Sequence, residues 1–268
     1  MKIALIGYGT IGRALASAIR DGRAGNARLI TVLGRDAARL AATGAARDGC
    51  KATTDPEEFF NADADLIVEA AGQSALVQYA ERGILSGRDL LAASVGALVD
   101  EHLVASITRA ARSTGRKLLV PSGALGGLDV VSAAAVGVLD EVSIAVRKPP
   151  AAWRGTPAEG AAALAVDHPI CFYEGAAGEA VKLFPQNVNV VAALSLSGIG
   201  FERTTVEMFA DPTVQHNTFE LFARGEFGEI RLELKNRPYP ENPKTGYLVV
   251  MSLIKSIRRL QEPIVIGF

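Results

Sequence analysis

The sequence is poor in cysteine, tryptophan and histidine. Its 268 residues include two cysteines, one tryptophan and three histidines. Cys50 and Cys171 are too few and too far apart for a disulfide framework or a metal knuckle, so we expect no metal centre. Sparse cysteine also fits a reducing compartment, and we therefore expect a cytoplasmic protein.

A strong net charge and long apolar runs are missing as well. The 28 basic residues nearly balance the 29 acidic ones, so neither nucleic acid nor an anionic membrane is an expected partner. No uninterrupted apolar run reaches the ~18–20 residues that a membrane span requires. Hydrophobic residues at 49% and charged residues at 21% are typical of a globular enzyme with a small-molecule substrate.

A glycine-rich motif stands at the beginning of the chain. In "IALIGYGTIGRALA", Gly7, Gly9 and Gly12 have the G-x-G-x-x-G spacing, after an apolar strand and before a helix that opens with Thr10 and Ile11. Gly7 permits the tight turn, Gly9 lets the backbone approach a pyrophosphate, and Gly12 lets helix and strand pack closely. The motif predicts that these residues bind a dinucleotide.

The pattern of apolar residues predicts an α/β fold with two domains. The first third alternates apolar runs such as "KIALIG" and "RLITVLG" with helical segments, which indicates βαβ units and a parallel sheet. Later segments such as "EVSIAVRKP" and "GEIRLELKN" alternate apolar and polar residues. We predict a doubly wound Rossmann domain over 1–120, a substrate and dimerisation domain with a mainly antiparallel sheet over 121–245, and a C-terminal helix and tail over 246–268. "NPKTGYLVV" predicts that this helix is entered through Pro243.

The end of the second strand bears on the choice of cofactor. An NAD-only enzyme would place Asp or Glu there, but this sequence has Gly34 and Arg35, and arginine can pair with a 2′-phosphate. Alternatively, Arg35 is a solvated side chain next to Asp36, which caps the following helix. NAD and NADP both remain candidates. Two further segments, "EAAGQ" and "ASVGAL", each follow a strand and are predicted to lie along the cofactor. The residues predicted to do so are Gly72, Ser94, Gly96 and Ala97.

Several longer segments together resemble one family. "GYGTIG", "SVGAL", "PSGALGGLD", "RKPPAAWRGTP", "FPQNVNVVAALSLSGIG", "ADPTVQHNTFEL" and "NPKT" make the chain similar to L-aspartate dehydrogenases along essentially its whole length. The resemblance implies a homodimeric NAD(P)-dependent oxidoreductase that acts on a CH–NH2 group. Its implied reaction converts aspartate to iminosuccinate, which hydrolyses to oxaloacetate and ammonia or feeds NAD biosynthesis.

The resemblance also implies two cofactor-binding positions, Ala124 and Asn189. Considered without the family, Ala124 is a small residue in a glycine-rich turn, and Asn189 could simply satisfy backbone groups at a helix start.

The chain departs from the family in "ADPTVQHNTFEL". The family motif runs D-P-x-x-x-x-N-x-H, and aligning Asp211, Pro212 and Asn217 puts Phe219 at the position of the catalytic histidine. Phenylalanine cannot transfer a proton. His216 could substitute only through a bulge or an irregular turn, because residues 216 and 219 of a regular strand point to opposite faces. The competing interpretation makes His216 a partly exposed loop residue. Asn217 stays a candidate for substrate binding.

A dicarboxylate substrate needs cationic partners. We consider Arg147 a candidate substrate ligand and Lys148 and Lys244 candidate catalytic residues, because either lysine could act as a base where burial lowers its pKa. Without the resemblance, each of the three would be interpreted as a solvated charge. Trp153, in the predicted surface loop "PPAAWRGTPAEGAAA", is expected to be half-buried.

Two alternative functions follow from Phe219. An apolar wall at this position would suit a dehydrogenase or imine reductase for a less polar substrate. Alternatively, the chain is a catalytically impaired NAD(P)-binding paralogue, which would bind cofactor without turnover.

Overall fold

The computed structural model describes residues 1–47, 49–185, 188–239 and 242–266. The chain divides into two compact units. Unit 1 contains Met1–Pro121 and Val249–Ile266, and unit 2 contains Ser122–Leu248. Within the described ranges, no helix has both the length and the apolar character needed to cross a membrane.

Unit 1 is built on a six-stranded parallel sheet. Its strands are β1 (Lys2–Ile6), β2 (Arg28–Leu33), β3 (Lys51–Thr53), β4 (Leu66–Glu69), β5 (Asp89–Ala92) and β6 (Leu118–Leu119). Its helices are α1 (Thr10–Arg20), α2 (Ala37–Ala42), α3 (Pro56–Phe60), α4 (Gln73–Leu85) and α5 (Glu101–Thr114), with a 3-10 helix at Val95–Val99. The strand order β3-β2-β1-β4-β5-β6 confirms the predicted doubly wound sheet.

Burial on both faces explains the composition of the central strands. All four residues of β4 are buried, as are the last four of β1, and a strand covered by helices on both sides reads as a continuous apolar run. Helix α1 presents Leu15, Ala16 and Ile19 to the same core. The register pairs Ile6 of β1 with Leu33 of β2 and with Glu69 of β4, so these three strands end at the same edge of the sheet.

Unit 2 contains a five-stranded mixed sheet. Its strands are β7 (Leu139–Lys148), β8 (Ile170–Ala176), β9 (Thr205–Ala210), β10 (Asn217–Gly225) and β11 (Gly228–Asn236), in the order β11-β10-β7-β9-β8. β7 and β9 are parallel, and the other neighbours are antiparallel. Its helices are α6 (Leu128–Ala134), α7 (Glu159–Ala163), α8 (Ala177–Leu183) and α9 (Asn189–Ser197), with a 3-10 helix at Pro150–Trp153. The predicted, mainly antiparallel sheet is therefore present.

The two faces of this sheet differ in character. The apolar face carries Phe219, Leu221 and Ala223 of β10, together with the residues that pair with them on β7 and β11. It is covered in part by the turn before α6, since a Cβ placed on Gly126 would lie 3.3 Å from the Leu232 side chain. The polar face carries the alternate residues, among them Arg147, Glu220, Arg231 and Glu233.

The structure corrects the predicted start of the last helix. Residues Asn242–Gly246 form strand β13, which pairs with β12 (Pro238–Tyr239), and helix α10 covers Tyr247–Arg259. The helix therefore begins four residues after Pro243. Its residues Leu253 and Ile257 are fully buried in the core of unit 1.

The predicted surface loop around Trp153 is also more ordered than expected. It contains the 3-10 helix and α7, and Trp153 is fully buried instead of half-buried. The indole Nε1 donates a hydrogen bond to the Phe209 carbonyl at 3.1 Å, and the ring packs edge-on against Phe172. The interpretation of Trp153 as a half-buried loop residue was therefore wrong.

Candidate active site

The glycine loop between β1 and α1 is shaped by three different contacts. Gly7 has φ +94°, and a Cβ there would lie 2.6 Å from Ala71 Cα. A Cβ on Gly12 would lie 2.1 Å from the Gly7 carbonyl oxygen, so the first turn of α1 packs directly on the loop. A side chain would be excluded at both positions.

Gly9 lies in a different environment. A Cβ on Gly9 would meet no described atom within 4 Å, so the space beside it is open. Gly9 is also the N-cap of α1, where the N–H groups of the first turn, including those of Thr10 and Ile11, lack partners within the helix. Open space next to a helix N-terminus suits a pyrophosphate, and these residues therefore fit the dinucleotide that the motif predicts.

A buried carboxylate lies at the same edge of the sheet. Glu69, the last residue of β4, is 0% exposed. One carboxylate oxygen accepts hydrogen bonds from the Ala71 N–H at 2.7 Å, the Gly72 N–H at 2.8 Å and the Ser94 hydroxyl at 2.9 Å. The other oxygen accepts from the Ser94 N–H at 3.0 Å. Burial raises the pKa of Glu69, and these four hydrogen bonds oppose that rise.

Glu69 was missed as a site residue at the sequence level. A carboxylate within the apolar segment "DLIVEAAG" is the signal that could have identified it, since a buried charge requires partners. Its partners Gly72 and Ser94 were predicted to follow the cofactor. Gly96 and Ala97, predicted for the same role, lie buried in the 3-10 helix that follows Ser94.

Arg35 follows β2, at the edge of the sheet where the adenosine ribose is predicted to bind. It is exposed, two residues after the end of β2. Asp36 caps α2 by accepting a hydrogen bond from the Arg39 N–H at 3.1 Å. The Arg35 side chain is exposed next to this cap, and both interpretations of Arg35 stay open.

In unit 2, Phe219 lies on the apolar face of the sheet. It is 4% exposed and pairs with Val146 of β7 and Leu234 of β11. The pairing of β10 is regular from residue 217 to residue 224. No bulge therefore turns a neighbouring side chain towards the position that the family gives to histidine.

Buried polar residues occupy one end of the apolar face. Lys148, two positions beyond Val146 on β7, is 2% exposed, and its Nζ lies 5.0 Å from the centre of the Trp153 ring. Asn217, two positions before Phe219, is also buried. Asn236 pairs with Asn217, and its Nδ2 donates to the Ala124 carbonyl at 2.8 Å. The structure thus brings the predicted residues Lys148, Asn217, Phe219 and Ala124 to one region of unit 2.

Arg147 lies on the opposite, polar face. Its guanidinium contacts Glu220 at 2.8 Å and Asp211 at 3.6 Å, and it stacks over the Phe209 ring at 3.9 Å. Arg147 and Lys148 were both predicted to be cationic partners of one substrate. The structure does not bring them together, because consecutive strand residues point to opposite faces.

His216 also faces away from Phe219. It lines an open groove of about 480 Å³ on the polar face, beside Arg147, Thr218 and Glu220. Its Nδ1 is buried and has no hydrogen-bond partner among the described residues. The placement of His216 agrees with the interpretation in which it does not replace the family histidine.

Two other residues predicted for the site are Asn189 and Lys244. Asn189 is the exposed first residue of α9, where Val188 is the N-cap. Lys244 belongs to β13, but its side chain lies outside the part of the chain that the structure describes. Within the described residues, no group of three or more His, Cys, Asp or Glu side chains is placed to hold a metal ion.

The fold and the glycine loop define a two-unit protein with a Rossmann-type dinucleotide-binding domain. Residues 7–121 match the model of the homoserine dehydrogenase NAD binding domain, and residues 129–260 match that of the aspartate dehydrogenase C-terminal domain. The chain is 39% identical to the L-aspartate dehydrogenase of Methanocella arvoryzae over 99% of both chains, and 37% identical to that of Serratia proteamaculans over 97% of both. This chain belongs to the L-aspartate dehydrogenase family.

A solved structure supports the same assignment. The crystal structure of aspartate dehydrogenase from Thermotoga maritima is similar with a TM-score of 0.78 and 25% sequence identity, covering 100% of this chain and 99% of that one. Similarity therefore extends over both units.

Proposed function

We propose that this protein oxidises L-aspartate with NAD+ or NADP+, giving iminosuccinate that hydrolyses to oxaloacetate and ammonia. The observation that carries the proposal is the 39% identity to an L-aspartate dehydrogenase over 99% of both chains. We assign cofactor binding to the glycine loop of unit 1 and substrate chemistry to the polar end of the apolar face in unit 2. The cofactor supplies the hydride acceptor, and the protein has to bind, orient and deprotonate the amino acid.

Lys148 is the proposed base. The family histidine is absent because Phe219 occupies its position, and oxidation of an amine still requires removal of a proton. Lys148 is buried on the same face as Phe219 and close to Asn217. A buried lysine is a common general base, and its cationic form could alternatively pair with a substrate carboxylate. We assign Asn217 to substrate binding on the same grounds.

Further properties belong to the same proposal. Arg35 is exposed at the end of β2 and could hold a 2′-phosphate, so we propose that NADP as well as NAD is accepted. We assign Ala124 and Asn189 to the cofactor, as the resemblance implies. We also propose a cytoplasmic homodimer whose product can feed NAD biosynthesis.

A less polar substrate is the second candidate. Phe219 is 4% exposed and packs between Val146 and Leu234, so the region where the family has a polar imidazole is apolar here. Such a surface would favour an amino acid or imine with an apolar side chain.

A spectrophotometric screen tests these proposals. The purified protein is assayed with NAD+ and NADP+ against L-aspartate and a panel of apolar amino acids, and in reverse with oxaloacetate and ammonia. We expect aspartate to give the highest kcat/KM. Higher kcat/KM with an apolar amino acid would favour the second candidate, and cofactor binding without turnover of any substrate would contradict both.

A further inference from the structure

Glu69 has a hydrogen-bonding arrangement that joins two loops. Its four donors come from Ala71 and Gly72 in the loop after β4 and from Ser94 in the loop after β5. We call this group of hydrogen bonds the Glu69 clasp. All four donors aim at one fully buried carboxylate, and a buried carboxylate with satisfied oxygens holds its neighbours in fixed positions.

The clasp is also in contact with the glycine loop. Ala71 is the residue that a Cβ on Gly7 would strike, so the loop after β4 packs directly against the turn after β1. Gly72 has φ +132°, a conformation that favours glycine, and its N–H donates a hydrogen bond to Glu69. A shift of Ala71 or Gly72 would therefore displace the turn of the dinucleotide motif at Gly7.

The position of the clasp in the sheet indicates which part of a cofactor it affects. β1 lies between β2 and β4, and the strand order reverses there, which is where dinucleotides bind in such sheets. In such sheets, the adenosine ribose binds at the end of the strand that corresponds to β2. The loops after β4 and β5 belong to the other half of the sheet, which in dinucleotide-binding folds of this strand order receives the second mononucleotide, here the nicotinamide half.

We propose that Glu69 is a positioning residue for the nicotinamide half of the cofactor. Its carboxylate holds the loops after β4 and β5 in the arrangement that receives the nicotinamide ring. The inference rests on the proposed dinucleotide-dependent function. It concerns a residue that does not itself touch the reacting atoms.

Replacing the carboxylate by an amide is the direct test. In Glu69→Gln, one oxygen can still accept the Ala71, Gly72 and Ser94 hydroxyl hydrogen bonds, but an NH2 group then faces the Ser94 N–H. We expect NADH to bind on the order of tenfold more weakly, because a hydrogen bond to a charged group is lost. ADP-ribose, which lacks the nicotinamide ring, should bind within about twofold of its wild-type affinity. Fluorescence titration measures NADH binding, and calorimetry measures ADP-ribose binding.

Two further variants complete the design. Ser94→Ala keeps the carboxylate and three of its four hydrogen bonds, so NADH binding should weaken roughly threefold without an equal loss for ADP-ribose. Asp65→Asn is the matched control, because Asp65 lies just before β4, at the opposite edge of the sheet, and accepts a hydrogen bond from the Lys2 N–H at 2.7 Å. It should change neither affinity. Ser94→Ala also decides the question if Glu69→Gln does not fold.

The outcomes separate this inference from the proposed function. A carboxylate that only stabilises the fold would lower the melting temperature and leave the affinities of the folded protein unchanged, which would overturn the inference. Equal losses for NADH and ADP-ribose would overturn it too. If the wild-type protein binds neither NADH nor NADPH, the proposed function itself fails. Cofactor binding without aspartate turnover would contradict only the proposed substrate.

Discussion

Proton transfer depends on individual side chains, and three of them can be tested in one series. Phe219→His restores the family residue on the apolar face and should raise kcat for aspartate by up to about tenfold, since a second base beside Lys148 adds only part of the ~10²–10⁴ in rate that a positioned base contributes. His216→Ala should leave kcat within about twofold, because His216 faces the polar side of the sheet.

Lys148→Met should lower kcat by ~10² or more if Lys148 is the base.

The readouts in this series separate catalysis from folding. NADH affinity and melting temperature should stay near wild type in His216→Ala, and NADH affinity should also survive in Lys148→Met. Loss of activity in His216→Ala with intact cofactor binding would show that His216 is the base that accepts the substrate proton. A Lys148→Met protein with unchanged kcat would remove Lys148 from the mechanism.

A second prediction at the residue scale concerns Glu69 and the pH dependence of the stability of the protein. Burial raises the pKa of Glu69 above the ordinary value of 4.5, despite the four hydrogen bonds it accepts. Between 4.5 and the raised folded-state pKa, the folded protein binds a proton that the unfolded chain does not bind. Stability from this group is therefore greatest at low pH and declines as pH rises through the folded pKa.

Chemical denaturation over a pH series checks this sign. The free energy of unfolding of wild type minus that of Glu69→Gln should decrease as pH rises above 4.5, since glutamine does not titrate. A difference that grows with pH would mean that the hydrogen bonds outweigh burial and lower the pKa. All other titrating groups are common to both proteins and cancel in the subtraction.

At the residue scale, the sequence predicted the geometry of the glycine loop better than the arrangement of the candidate substrate residues. Glycine spacing reflects local backbone geometry, so the loop around Gly7 could be predicted from a short motif. The separation of Arg147 from Lys148 follows from strand alternation and was predictable in principle. The clasp was not predictable, because the sequence does not specify that Glu69 and Ser94, on different strands, meet.

At the scale of elements, hydrophobic periodicity predicted the strands with the clearest patterns. The alternation of Ile230, Leu232 and Leu234 in β11 corresponds to the apolar face of the second sheet, and the apolar runs of β1 and β4 correspond to a sheet covered on both sides. Here local composition and tertiary environment agree, and the fold class was correctly predicted.

Elements whose structure depends on pairing or packing with another segment were harder to predict. "NPKTG" has the proline typical of a helix start, but its residues pair with β12 and form β13. Strand β8 has little apolar and polar alternation, and a register irregularity between Cys171 and Tyr173 interrupts its pairing with β9. Trp153 is buried because the sheet, Phe172 and Phe184 surround it. In each case, pairing or packing with another segment decided the structure over the preference of the residues themselves.

At the scale of the whole molecule, the chain leaves unit 1 and returns to it through α10. Leu253 and Ile257 are fully buried among residues of unit 1, and the Gln261 side chain donates a hydrogen bond to the Ala24 carbonyl at 3.0 Å. The core of unit 1 is therefore complete only after the chain has passed through unit 2. The nucleotide-binding unit should depend on residues at the far end of the sequence.

Leu253→Ala tests this dependence. The substitution should lower the free energy of unfolding of unit 1 by about 2–5 kcal/mol, because it removes a buried side chain and leaves a cavity. Met251→Ala is the matched control on the same helix, since Met251 is 56% exposed, and it should change stability by less than about 0.5 kcal/mol. Circular dichroism during urea unfolding follows both units, whereas fluorescence of Trp153, the only tryptophan, follows unit 2. We expect the circular dichroism midpoint to shift more than the fluorescence midpoint. Equal stability of Leu253→Ala and Met251→Ala would show that α10 does not contribute to the core of unit 1.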